Sequence, residues 1–176
     1  MALLAEELVE EWLNRQGYFT IRGIKVGVDE IDLLALRFDV SGQPQCRHIE
    51  VQASIRPVSY VSKVPKKHLE AGQVPSSAKA RSPELLETCV KEWVFKKYRN
   101  PKKIKIIQEL FPQKWKSELV ANNVKYEEEL GLIEKEGIRV IRLGTIIKQL
   151  NEEKFRIKSA SGADFADLIQ LAAKNV

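Results

Sequence analysis

The stretch EIDLLALRFDVSGQPQCRHIEVQAS, residues 30–54, places acidic side chains inside two apolar segments. The segments are separated by Ser-Gly-Gln-Pro, residues 41–44, a turn signal that predicts a β-hairpin. Side chains alternate between the faces of a strand, so Glu50 and Gln52 share one face of the second strand. With the turn in this place, Asp32 lies opposite or diagonal to them, where cross-strand neighbours are about 5 Å apart.

Two carboxylates at that separation repel each other, and burial makes both charges costly. Either one carboxyl group is protonated or a cation lies between the two. Hard divalent ions are held by one or two carboxylates, a carbonyl and water molecules, so the pair Asp32 and Glu50 predicts a site for Mg²⁺ or Mn²⁺. Two alternatives stay open: one of the acids pairs with a lysine or arginine, or it lies at a hydrated strand end.

Positive charge is concentrated in the middle of the chain. Residues 56–116 hold 15 lysines and arginines against five glutamates and no aspartate, although the net charge of all 176 residues is only +5. A basic segment between acidic flanks predicts a polyanionic partner such as a nucleic acid, and the alternative is a well-solvated lysine-rich surface. The residues expected to bind DNA are Ser54, Arg56, Lys63, Lys66 and Lys67.

The composition is typical of a soluble globular protein, with 44% hydrophobic and 30% charged residues. The sequence holds no apolar run of the length that a membrane span requires, and its acidic, amphipathic start does not fit a secretory signal. The two cysteines, Cys46 and Cys89, form neither a metal knuckle nor a disulfide framework. We therefore expect a cytoplasmic protein without a membrane partner.

The elements that position the acids follow from the spacing of apolar residues. A helix is predicted over residues 2–16 and ends at Gly17. On this helix Glu6 lies at the edge of the buried face, whereas Glu7 and Glu11 point away from it. The other predicted elements are strands over 18–25, 29–38, 46–53, 115–120 and 138–143, and helices beginning at Ser82 and Asn100 and over 125–136, 145–152 and 160–174.

This order predicts a single α/β domain over residues 1–176, with a central mixed sheet flanked by helices. The expected core comprises residues 1–54 and 115–150. Residues 55–114 are expected to form a basic loop and a helical insertion, and a C-terminal helix is expected over 160–174.

A helix with a glutamate, then E-I-D-L-L-A, a turn and I-E-V-Q-A-S resembles the PD-(D/E)xK nuclease superfamily, especially the Holliday-junction resolvases and small restriction-type nucleases. The resemblance covers residues 1–54 and, more loosely, 115–150. It implies a restriction-endonuclease-like fold and a divalent-metal-dependent DNA endonuclease that acts as a homodimer. It also implies that Asp32, Glu50 and the Val51 carbonyl bind the metal ion and that Glu6 is an outer acid. The ion would acidify an attacking water and stabilise charge on the phosphate.

Gln52 replaces the lysine of the family's E-x-K motif, and Ile31 replaces the proline. An amide forms hydrogen bonds but supplies no charge. Three outcomes follow: the glutamine suffices, a basic residue from another element substitutes, or catalysis is lost and only nucleic-acid or partner binding remains. The candidates to substitute are Lys25, Arg56, Lys63, Lys66 and Lys67.

Overall fold

The computed structural model describes residues 2–53, 57–69 and 72–151. Its helices are α1 (Ala2–Arg15), α2 (Pro83–Val94), α3 (Pro101–Leu110), α4 (Glu128–Lys135) and α5 (Leu143–Asn151), and its strands are β1 (Phe19–Val26), β2 (Asp29–Phe38), β3 (Pro44–Gln52), β4 (Trp115–Ala121) and β5 (Arg139–Arg142). A 3₁₀ turn (Lys66–His68) lies in the long loop, and a π-helical turn (Phe95–Arg99) joins α2 to α3. The helix predicted over 160–174 lies outside the described residues.

The five strands form one sheet in the order β1-β2-β3-β4-β5. The first three strands are antiparallel, whereas β3, β4 and β5 are parallel. Parallel neighbours require a crossover connection, and the segments containing α2–α3 and α4 provide the two crossovers. The predicted α/β fold with a mixed sheet and flanking helices is confirmed. None of the described helices has both the length and the apolar character needed to span a membrane.

The predicted hairpin of β2 and β3 is confirmed, and its turn sets the strand register. One carboxylate oxygen of Asp39 accepts hydrogen bonds from the backbone N–H groups of Ser41 and Gln43, both at 2.9 Å. Gly42 has a φ angle of +77°, which glycine adopts without steric cost. The resulting register places Leu33 opposite Ile49.

The central strands of the sheet are buried on both faces. Helices α1 and α5 pack on one face through a cluster that includes Leu33 and Ile49. Helices α2 and α4 pack on the other face, where Leu119 of β4 is part of the cluster. Glu50 is paired with Leu119 across the parallel strands, and paired residues point to the same face. Glu50 therefore points toward the layer of α2.

The path from α2 to α3 decides which basic residues reach the sheet. Ser82 caps α2, since its hydroxyl accepts a hydrogen bond from the Leu85 N–H at 3.3 Å, and Asn100 caps α3 in the same way. Between the helices, the π-helical turn buries Tyr98, whose hydroxyl donates to the Glu118 carbonyl at 2.7 Å. This contact holds the turn against the sheet.

The expectation that Glu11 points away from the buried face of α1 is wrong. Glu11 is fully buried, and its carboxylate accepts a 2.6 Å hydrogen bond from the Arg15 guanidinium. The spacing of apolar residues could not predict this burial, because Glu11 is not apolar. It is buried together with Arg15, which lies one helical turn away and pairs with it. Glu7 is partly exposed, as expected.

The long basic loop is fixed at its base by Glu129 of α4. This fully buried carboxylate accepts hydrogen bonds from the backbone N–H groups of Val61 at 2.6 Å and Ser62 at 2.9 Å. The Arg81 guanidinium donates to the Ser62 carbonyl at 3.1 Å. The backbone next to Lys63 is therefore held by a helix that is distant in sequence.

We predict that Glu129→Ala lowers the free energy of unfolding by about 3 kcal/mol, because it leaves two buried backbone N–H groups without an acceptor. Urea unfolding measures the change. Glu128→Ala, an exposed glutamate on the same helix, is the matched control and should stay within about 0.5 kcal/mol of the parent. Equal effects of the two substitutions would contradict the anchoring role.

Candidate metal centre

Asp32 and Glu50 are neighbours on one face of the β2–β3 hairpin. Leu33 is paired with Ile49 across the hairpin, so Asp32 and Glu50 are the next residues along the two antiparallel strands. The Val51 N–H donates a hydrogen bond of 2.8 Å to Oδ2 of Asp32. Glu50 is fully buried and Asp32 is 8% exposed. The predicted meeting of these two carboxylates across the hairpin is confirmed.

Two lysines from the segment after α2 neutralise the pair. The Lys97 ammonium, on the π-helical turn, hydrogen-bonds Oε2 of Glu50 and lies 3.8 Å from Oδ1 of Asp32. The Lys103 ammonium, on α3, lies 3.4 Å from Oε1 of Glu50 and donates to the Glu30 carbonyl at 2.6 Å. The structure therefore contains the first of the two alternatives, in which one of the acids pairs with a lysine.

His48 completes the surroundings of Glu50. Its Nε2 atom lies 3.4 Å from Oε1 of Glu50, and its ring packs against the Tyr98 ring with centroids 4.9 Å apart. Since His48 is buried, it supports the carboxylate from within the core.

The two carboxyl groups respond oppositely to this environment. Burial, together with the negative charge of Glu50, raises the pKa of Asp32 to about 7. Burial also acts to raise the pKa of Glu50, but the hydrogen bond from His48 and the charges of Lys97 and Lys103 outweigh it, so the pKa of Glu50 is lowered. Glu50 is therefore the firmly ionised member of the pair.

The donor set fits a hard divalent ion that keeps part of its water shell. Among residues 2–53, 57–69 and 72–151, no three His, Cys, Asp or Glu side chains come together as a metal site. A metal ion would therefore have the carboxylates of Asp32 and Glu50, the Val51 carbonyl and water, which suits Mg²⁺ or Mn²⁺. It would also meet the Lys97 ammonium, which contacts both carboxylates.

Glu6 lies near this pair but outside its hydrogen bonds with Lys97 and Val51. The side chain is partly buried on α1. Burial raises the pKa of Glu6, and the negative charges of Glu30 and Glu50 raise it further. The role of outer acid that the resemblance implies for Glu6 stays a prediction.

Gln52 opens onto a cleft beside the two acids. This cleft has a volume of about 320 Å³, and its lining includes Gln52, Lys63, Lys96 and Lys97. Lys97 therefore belongs to both places, with its ammonium on the carboxylates and its side chain on the cleft wall. Lys97 thus adds a positive charge to the cleft wall that it shares with Gln52, whose amide is uncharged.

The predicted DNA-binding lysines surround an adjoining cleft. Lys63, Lys66, Lys67 and Lys96 line it together, and Lys63 and Lys96 are shared with the cleft beside Gln52. The structure thus brings together all three predicted lysines. The other two predicted residues, Ser54 and Arg56, lie outside the described residues.

The lysines that reach Glu50 were not among the candidates to replace the motif lysine. Lys25, one of those candidates, instead forms an exposed ion pair with Glu30 at 2.5 Å. The sequence offers one signal for the true pair, the dense basic run FKKYRNPKK after a well-capped helix. Its π-helical turn, which orients Lys97, is not visible in the sequence.

We predict that the stabilities of the parent and of Asp32→Asn diverge with pH in metal-free buffer. Between the ordinary pKa of 3.8 and about 7, the native carboxyl keeps a proton that the unfolded chain has released, so the parent loses stability as pH rises through this window. Asp32→Asn lacks this loss. The free energy of unfolding of Asp32→Asn minus that of the parent should grow by at most about 4 kcal/mol, at about 1.4 kcal/mol per pKa unit.

Urea unfolding with EDTA, repeated from about pH 4.5 to about pH 8, measures this difference. Subtracting the two proteins removes the titration of all other groups. A difference that stays constant over the range would show that Asp32 titrates like an ordinary exposed aspartate.

Comparison with known proteins returned no significant match, since no family model, no curated protein and no solved structure matches the chain.

Proposed function

We propose that this protein is a divalent-metal-dependent DNA endonuclease of the PD-(D/E)xK type, which hydrolyses phosphodiester bonds. The observation that carries the proposal is the buried pair Asp32 and Glu50 on β2 and β3, beside a cleft with lysines on its wall. Paired carboxylates next to a polyanion-binding surface are what metal-assisted phosphate chemistry requires.

The acids, Gln52 and Lys97 would have different roles in cleavage. Asp32, Glu50 and the Val51 carbonyl would hold Mg²⁺ or Mn²⁺, which would supply an acidified water and charge stabilisation at the phosphate. Gln52 donates a hydrogen bond from its amide, and Lys97 supplies positive charge. Glu6 would be the outer acid, which influences the charge of the site without binding the metal ion.

The DNA backbone would lie along the two lysine-lined clefts, on Lys63, Lys66 and Lys67. Ser54 and Arg56, next to the acid strand in sequence, are proposed as further phosphate contacts. The proposal includes a homodimer, because an enzyme that cuts both strands of a duplex needs two active sites. It also includes a cytoplasmic setting.

Asp32→Asn is expected to reduce cleavage by about 100-fold or more, since losing a ligand removes several kcal/mol of charge stabilisation and each 1.4 kcal/mol is about tenfold in rate. The assay uses branched, single-stranded and duplex DNA with Mg²⁺ or Mn²⁺. Glu134→Gln, which neutralises an exposed carboxylate on α4, is the control and should cleave like the parent. No cleavage of any substrate by the parent would refute the proposal.

A second candidate is a nucleic-acid-binding or partner-binding module that has lost catalysis. One observation favours it: Lys97 and Lys103 already neutralise the carboxylate pair, so the site is stable without a metal ion. This candidate predicts salt-dependent DNA binding without turnover.

For either candidate, we predict that Lys66→Ala with Lys67→Ala flattens the salt dependence of DNA binding. Two lost phosphate contacts should reduce the log–log slope by about 1.8, at about 0.9 per contact on duplex DNA. Fluorescence anisotropy at several salt concentrations measures the slope. Lys148→Ala, an exposed lysine on α5, should leave it unchanged, and equal slopes in all three proteins would exclude this cleft as the DNA path.

A further inference from the structure

Glu50 carries a lysine ammonium at each of its carboxylate oxygens, but the two lysines are held differently. Lys103 is 1% exposed, and its ammonium also donates to the Glu30 carbonyl. The Lys97 side chain is 24% exposed and forms part of the cleft wall. Lys97 is therefore the lysine that can leave the carboxylates without becoming buried and unpaired.

The charges at this site do not leave room for both lysines and a divalent ion. Asp32 and Glu50 carry at most two negative charges, which Lys97 and Lys103 balance. A divalent ion added to this group would create an excess of positive charge inside the protein, where a buried charge without compensation is costly. Its position would also coincide with that of Lys97, which contacts both carboxylates.

We propose that Lys97 is an internal competitor of the divalent ion, so that a metal ion binds Asp32 and Glu50 only as the Lys97 ammonium moves off them into the adjoining cleft. The inference rests on the proposed metal site. It adds that Lys97 changes partners and that the displaced ammonium becomes available to a phosphate in the cleft.

The surroundings of Lys97 support such a movement. The neighbouring Tyr98 anchors the π-helical turn through its bond to the Glu118 carbonyl, so the backbone stays in place while the side chain turns. Asp29 also lines the cleft, and its charge already acts on the ammonium of Lys97. The ammonium therefore exchanges one acidic neighbour for another. Its release into the cleft would couple metal binding to phosphate binding.

The experiment is calorimetric titration of Mn²⁺ into the parent and into variants of the two lysines. Lys97→Met and Lys97→Gln remove the competing charge. Lys97→Arg and Lys96→Met are the controls. Removing the competitor should tighten Mn²⁺ binding by about tenfold in Lys97→Met and Lys97→Gln, within the usual range of coupling between two ligands. Lys97→Arg keeps the competing charge and should bind like the parent. Lys96→Met, which removes a lysine of the same cleft that pairs with Glu92, should also bind like the parent.

Circular dichroism and thermal unfolding in EDTA establish that each variant is folded, and Asp32→Asn added to Lys97→Met should abolish the gain in affinity. If the parent binds Mn²⁺ but the neutral Lys97 variants bind no more tightly than Lys96→Met, the competitor role is wrong and the metal site stands. If none of the folded proteins binds Mn²⁺, the metal site itself is wrong, and the proposed nuclease function fails with it.

Discussion

Two carboxyl groups buried side by side cannot both be ionised unless positive charge lies close to them. In this protein Asp32, near the start of β2, and Glu50, near the end of β3, impose that requirement. The structure meets it with Lys97 and Lys103, which arrive on a separate segment of the chain. The π-helical turn and α3 carry these two lysines, and Tyr98 also holds the turn against the sheet.

The basic middle of the chain therefore has two distinct uses. Lys97 and Lys103 pair with the acids, although Lys97 also forms part of the cleft wall. Lys63, Lys66, Lys67 and Lys96 line the clefts. An excess of positive charge in the sequence thus does not translate directly into the number of phosphate contacts.

The long basic loop is also held in place by residues that are distant from it in sequence. Lys63 follows Ser62, whose N–H is held by Glu129 of α4. Arg81, at the other end of the loop, bonds the carbonyl of the same serine. A buried carboxylate that accepts several backbone hydrogen bonds can order a segment that has little regular structure of its own. The loop presents its lysines next to the acid pair because of contacts made far along the chain.

The pairing of Lys97 with both carboxylates bears directly on the choice between an enzyme and a binding module. A site whose charges are already balanced is stable without an ion, which suits a protein that only binds. The same lysine stands on the wall of the cleft beside Gln52, which suits an enzyme whose motif lacks its own lysine. The strength with which Lys97 holds the acids, relative to a divalent ion, separates these two functions.

The sequence by itself determined the hairpin, the faces of its strands and the meeting of Asp32 with Glu50, because the turn and the two-residue alternation are local properties. It also determined the caps of α2 and α3 and the alternation that produces a mixed sheet. Only the tertiary structure decided which cations serve the acids: Lys97 and Lys103 lie 47 and 53 residues from Glu50. It likewise buried Glu11 with Arg15 and joined Glu129 to the loop. Such partners depend on how helices cross the sheet and on one π-helical turn, and neither is expressed in the spacing of apolar residues.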